Sequence, residues 1–279
     1  GDGGDLNINT NTLLIKDGGD VNAGTLGEGS AGKLTVNASD VRVIGSTRDG
    51  RFPSLLSTVT SSTGDGGDLN INTNTLLIQD GGAVETSTFD EGNAGNLTVE
   101  ASNVQVIGET QDGQLPSLLT TRTLSTGDGG DLNINTNTLL IKDGATVSSS
   151  TFDEGNAGNI NINATEVQVI GESKNIQFSS VLTAQTQSTG DGGNLNINTN
   201  TLLIKDGAQV LATTFFDEGN AGDININAID VQVIGRSKNV QVSSALSTGT
   251  ASTGEGGDLN IDTNTLLIKD GATVDAATL

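Results

Sequence analysis

The residues in this sequence that could do chemistry are acidic pairs. Asp90-Glu91, Asp153-Glu154 and Asp217-Glu218 each follow a Phe and precede a Gly. Two carboxylates held at a set separation in a cleft are the machinery of glycoside hydrolysis, one as acid and the other as base or nucleophile. A catalytic pair is normally unique within its chain, whereas these pairs recur at the same place in successive repeats. The sequence also has no His to serve as a base and no Trp or Tyr to stack on a sugar ring. The pairs therefore read as turn residues, and the chain is not expected to be an enzyme.

A second acidic pattern is Gly-Asp-Gly-Gly-Asp, which opens the sequence at Gly1. It loosely resembles a calcium-binding nonapeptide, but that motif must recur every nine residues so that adjacent turns share an ion. Here the spacing is 63. No cofactor is expected beyond weak calcium binding at turn carboxylates such as Asp2, Asp5 and Glu28.

A third set of residues suggests recognition. Four segments, Ser46-Pro53, Glu109-Pro116, Glu172-Ser179 and Arg236-Ser243, vary more than their surroundings and hold much of the scarce positive charge. Arg48, Arg51, Phe52, Gln111, Lys174, Phe178, Arg236 and Lys238 are the candidate interaction residues. Loops carried on a rigid scaffold are the usual place for binding.

The scaffold is a repeat. Gly-Asp-Gly-Gly-Asp-Leu-Asn-Ile-Asn begins at Gly1, Gly64 and Gly127, and close variants begin at Gly190 and Gly254. Each 63-residue unit contains a weaker copy of itself, with Leu6, Ile8, Leu13 and Ile15 falling on Leu34, Val36, Val41 and Val43. Unit starts are then Gly4, Gly32, Gly67, Gly95, Gly130, Gly158, Gly193, Gly222 and Gly257. Within a unit Leu6 and Ile8 alternate with Asn7 and Asn9, the period-two mark of a half-buried strand. The expectation is an all-β, right-handed parallel β-helix, or β-solenoid. It would have about nine coils of alternately 28 and 35 residues, three short strands to a coil. Leu6, Leu34, Leu69 and their counterparts would form one aliphatic file. Asn9, Asn37, Asn72, Glu100 and their counterparts would form a polar ladder at a bend. Neighbouring layers about 4.8 Å apart would make a rod of about 43 Å.

Composition narrows the partners. A net charge of −22 opposes general affinity for nucleic acid or anionic membrane. The chain has no Cys, which removes disulfides and thiolate metal sites, and no stretch is apolar enough to span a bilayer. It opens inside a repeat without an initiator Met, so residues 1–279 read as one continuous segment of a longer chain.

Gly-Asn-Ala-Gly-Asp-Ile-Asn-Ile-Asn-Ala (residues 219–228) and Thr-Leu-Leu-Ile-Lys-Asp-Gly-Ala (residues 138–145) resemble the repeats of filamentous-haemagglutinin-like exoproteins, especially the cyanobacterial type. The resemblance covers essentially the whole chain and carries no functional residues. It implies a right-handed β-helix, two-partner secretion, and an extracellular or outer-cell-surface place as adhesin, sheath or filament. The expected function is a secreted structural or adhesive rod, associating with itself end to end or laterally, or with surface and matrix components. The alternative is a carbohydrate-binding or carbohydrate-processing β-helix protein.

Overall fold

The computed structural model describes residues 1–174, 178–215, 219–238, 242–251 and 253–278. Every element in them is a strand, and the strands form two parallel sheets. The 12-stranded sheet holds β1 (Leu6–Lys16), β3 (Leu34–Ile44), β5 (Leu69–Gln79) and β7 (Leu97–Ile107). It continues through three split passages: β9 (Leu132–Asn135) with β10 (Thr138–Lys142), β12 (Ile160–Asn163) with β13 (Glu166–Ile170), and β15 (Leu195–Asn198) with β16 (Thr201–Lys205). β18 (Ile224–Ile234) and β20 (Leu259–Lys269) complete it. The nine-stranded sheet holds β2 (Asp20–Asn22), β4 (Leu55–Thr60), β6 (Ala83–Thr88), β8 (Leu118–Thr123) and β11 (Thr146–Thr151). Its remaining strands are β14 (Val181–Thr186), β17 (Gln209–Thr214), β19 (Ala245–Thr250) and β21 (Thr273–Thr278).

This arrangement corrects the expected right-handed β-helix of three short strands per coil. The first two runs of each passage, expected to be separated at Asn-Thr-Asn, are one 11-residue strand in β1 and β5. In the middle passages the ladder is interrupted without any change of register: Asn135 pairs with Asn163 before the break and Thr138 with Glu166 after it. The Asn137 carbonyl accepts both Thr165 N–H and Glu166 N–H, and the Thr165 carbonyl accepts both Asn200 N–H and Thr201 N–H. Two donors sharing one acceptor interrupt the regular ladder there. Because β7 and β18 each span both halves, the pairing runs β7-β10-β13-β16-β18-β15-β12-β9 and returns to β7. The larger sheet thus contains a closed circuit of eight parallel strands.

Register follows residue type. Leu6 pairs with Leu34, Leu34 with Leu69, Leu69 with Leu97 and Leu97 with Leu132. Ile8 pairs with Val36 and Val36 with Ile71. Leu34, Val36, Val41, Val43 and their partners in the inner layers are fully buried and form one core with Leu56, Val84, Leu119 and Val147 of the smaller sheet, while Leu6, Ile8 and Leu13 at the end of the stack are only partly buried. A one-residue slip would turn every one of these side chains outward, so the pattern holds the register.

The unit-start glycines have a steric reason. A Cβ on Gly130 would lie 2.0 Å from the Gly95 carbonyl oxygen, and one on Gly158 would lie 2.1 Å from the Gly130 carbonyl oxygen. Both contacts are with backbone, which cannot swing aside. Beside its core aliphatics the smaller sheet also buries hydroxyls. Thr86 and Thr121 donate to the carbonyls of Gly95 and Gly130, each at 2.5 Å, and Thr123 donates to the Asp128 carbonyl at 2.9 Å. These buried threonines donate to turn carbonyls outside the strand ladders, of which that of Asp128 also accepts Ala94 N–H.

Gly130→Ala is accordingly expected to destabilise the chain by about 1–3 kcal/mol through overpacking. Leu132→Ala, at a fully buried position, is expected to cost about 2–5 kcal/mol. Urea unfolding followed by circular dichroism measures both.

Candidate functional site

The four variable segments are small hairpins on one edge of the layered strands. Each is closed by a single antiparallel bridge: Ser46 with Pro53, Glu109 with Pro116, Glu172 with Ser179, and Arg236 with Ser243. Inside the bridge Thr47 N–H donates to the Phe52 carbonyl at 2.8 Å, and Thr110 N–H to the Leu115 carbonyl at 2.8 Å. The same threonine hydroxyls accept back from Phe52 N–H at 3.1 Å and Leu115 N–H at 3.0 Å. Ser173 and Ser237 take that role in the other two hairpins, accepting from Phe178 N–H and Val242 N–H. A hydroxyl one residue past the bridge is thus the local rule. Gly50 and Gly113, both at φ +72°, make the left-handed bend at the first two tips.

A buried serine ties each hairpin to its scaffold. Ser54, Ser117, Ser180 and Ser244 each donate at 2.7 Å to the carbonyl ending the preceding strand, at Ile44, Ile107, Ile170 and Ile234. Each also accepts an N–H from the glycine of an Asp-Gly turn in the layer below, at Gly18, Gly81, Gly144 and Gly207. Those turns place Asp17, Asp80, Asp143 and Asp206 at φ between 55° and 59°, a conformation Asp tolerates better than most residues. Sequence reasoning missed these serines. Their signal was a Ser invariably following Pro53, Pro116, Ser179 and Ser243.

Arg48, Arg51, Phe52, Gln111, Lys174, Arg236 and Lys238 are exposed, and Phe178 is half-buried. Arg48, Gln111 and Lys174 come together along an open groove of about 1060 Å³ that crosses the first three hairpins. Asp49, Asp80, Glu109, Asp112 and Asp143 also line it. Arg51, Phe52, Phe178, Arg236 and Lys238 lie outside it. Arg51 sits 3.8 Å from Asp49, and Arg236 donates from Nε to the Gly271 carbonyl at 3.2 Å. The tips Asn175–Gln177 and Asn239–Gln241 lie outside the described residues.

Asp49 and Asp112 stay below the ordinary carboxylate range. The hydroxyls of Thr47 and Thr110 donate to them at 2.6 Å, and the backbone N–H groups of Arg51 and Gln114 add to the effect. Each donor favours the charged form.

The remaining acids are mostly structural. In the Gly-Asp-Gly-Gly-Asp turns, Asp65 accepts from Asn93 N–H and Asp128 from Asn156 N–H, one layer apart, at 3.0 and 2.9 Å. Asp68 and Asp131 do the same for Asn96 and Asn159. Among the described residues no group of three or more acidic or His side chains is placed to hold a metal ion. Asp90, Glu91, Asp153 and Glu154 are exposed, while Asp217 and Glu218 lie outside the described residues. The asparagine ladder is present: Asn72 donates to Asn37, and Asn163 to Asn135. A second ladder, Asn260 to Asn225 to Asn196 to Asn161 to Asn133, runs beside it and was not anticipated.

Thr110→Val is expected to raise the Asp112 pKa toward the ordinary carboxylate range, with the Gln114 N–H still lowering it, and to speed amide exchange at Leu115. In the parent chain a lowered folded pKa means that the tightening is present above the ordinary range and is lost as pH falls through the depressed value. Carboxyl and amide NMR across pH 2–7 reads both effects. No protein-family model, no curated protein and no solved structure matches the chain.

Proposed function

We propose that this chain is a structural and adhesive segment of an extracellular or outer-cell-surface protein. It acts as a stiff layered spacer that displays its hairpins to surface or matrix components. The observation that supports this reading is the anchoring of the four hairpins. Each is pinned by a buried serine to the layer beneath, so chemically variable tips are presented on an invariant frame. Loops that vary on a fixed scaffold suit recognition. The residues around them repeat from layer to layer, as a spacer requires and a unique catalytic centre does not. The likeness of the repeats to filamentous-haemagglutinin-like exoproteins points the same way and supplies the proposed export.

Immunogold electron microscopy with an antibody to the repeat is expected to label the outer surface or shed filaments. Replacing the four hairpins by Asn-Gly turns is expected to leave folding intact and to reduce attachment of the protein to cell-surface preparations at least severalfold. Label confined to the cytoplasm, or attachment unchanged after the replacement, overturns the proposal. Release of sugar products from a polysaccharide would favour the carbohydrate reading instead.

A further inference from the structure

The larger sheet turns one half of its strands' outer face to solvent, and there aliphatic side chains alternate with Arg42, Gln79, Gln105, Lys142 and their like in a chequered pattern. Along β5 and β7, Leu76, Ile78, Val104 and Val106 point into the core, which leaves Leu77 and Ile107 facing out. The same alternation puts Leu140 and Leu203 outward on β10 and β16, and Ile44 and Ile170 outward on β3 and β13. Leucines occupy one file on alternate layers, and isoleucines occupy the neighbouring file on the layers between. All six are half-buried although layers flank them on both sides. Leu14 and Leu267, in the first and last layers, are 50% and 38% exposed.

Charge favours this face for contact between copies. The chain carries −22 in all. On this face five basic side chains, Lys16, Arg42, Lys142, Lys205 and Lys269, stand beside eight acids: Asp40, Glu166 and Asp230 within the strands, and Asp17, Asp80, Asp143, Asp206 and Asp270 at the turns that follow. Arg42 Nε lies 2.7 Å from Asp40, and Lys16 and Lys142 each lie 3.5 Å from the Asp that follows them. Gln168 and Gln232 donate to Glu166 and Asp230 at 2.5 and 2.6 Å. The face thus holds only a small part of the net charge, and two copies meeting here face less repulsion than their acidic remainder would impose. Nine layers about 4.8 Å apart and five residues wide give a footprint of about 550 Å² per copy. A pair buries about 1,100 Å², which clears the roughly 1,000 Å² minimum for a biological contact and places this one among weak, reversible interfaces.

We infer that this face packs against the same face of a second copy of the chain, sheet on sheet, joining molecules side by side. The contact deepens the structural reading above; the hairpins border this face, with Gln79 and Ile107 lining the groove between the two, and their tips are not needed for the contact.

The test is sedimentation and light scattering of the 279-residue chain over a wide concentration range, beside the variant Leu77→Gln/Leu140→Gln/Leu203→Gln. The substituted positions lie outside the core, so melting of the dilute variant is expected to match the parent. The parent is expected to form concentration-dependent pairs, and the variant to associate about a hundredfold more weakly or worse. A chain with its hairpins replaced is expected to pair as the parent does. Equal association of parent and triple variant overturns the inference, as does a parent that stays monomeric. Loss of pairing on hairpin replacement also overturns it, by moving the contact to the hairpins. None of these outcomes touches the surface labelling that tests the adhesive reading.

Discussion

Each layer of this molecule is built on the hydrogen-bonded backbone of the layer before it, with strands in parallel and like residues in register. Parallel strands about 4.8 Å apart bring every side chain within contact of its counterparts above and below. A position can then hold only a residue that tolerates its own neighbours in the file. Aliphatics stack into a dry interior, amides bond head to tail, and glycines sit where a carbonyl from the next layer comes within 2.5 Å of where a Cβ would be. Repetition in the sequence is the consequence of this constraint. A unit that departs from it loses contacts on two sides at once.

The same constraint explains how an acidic chain remains packed. Like charges one layer apart would repel, and at the first Asp of these turns the inner layers limit this by alternating Asp with Asn. Asp128 accepts from Asn156, whose own oxygen accepts from the N–H of Asp191. Each carboxylate is thereby engaged by a backbone N–H, and the nearest carboxylate in its file is two layers away along this stretch. Thr and Ser do comparable work where the smaller sheet meets the turns, because a hydroxyl can fill space in the core and still close a carbonyl's hydrogen bond. The interior is aliphatic toward one sheet and hydroxylic toward one corner of the other.

Function, on this view, belongs to what the stacking does not dictate. The tips of the first two hairpins, at Gly50 and Gly113, lie beyond the hydrogen-bonded layers, and the four segments vary in sequence while Ser54, Ser117, Ser180 and Ser244 keep their bases fixed. The outward half of the larger sheet is the second such place. Packing does not require Leu or Ile there, and exposed alternation would ordinarily favour polar residues. Aliphatic side chains repeated on a solvent face are a surface built for covering.

The sequence by itself determined the period, the residues that share a file, and the bounds of the variable segments, since Ser46 and Pro53 are the pair that the closing bridge joins. These are consequences of side-chain identity at fixed spacing. Tertiary structure decided whether Asn-Thr-Asn ends a strand. That depends on how many N–H groups the neighbouring layer offers to Asn137, so the expected three strands per coil became two sheets with a closed circuit of eight strands. The alternation of Val41, Arg42 and Val43 already marked Leu13 and Ile15 as the inward pair. Only the tertiary structure shows how far Leu14 and its counterparts stay open to solvent, because that depends on which elements pack against the outer face.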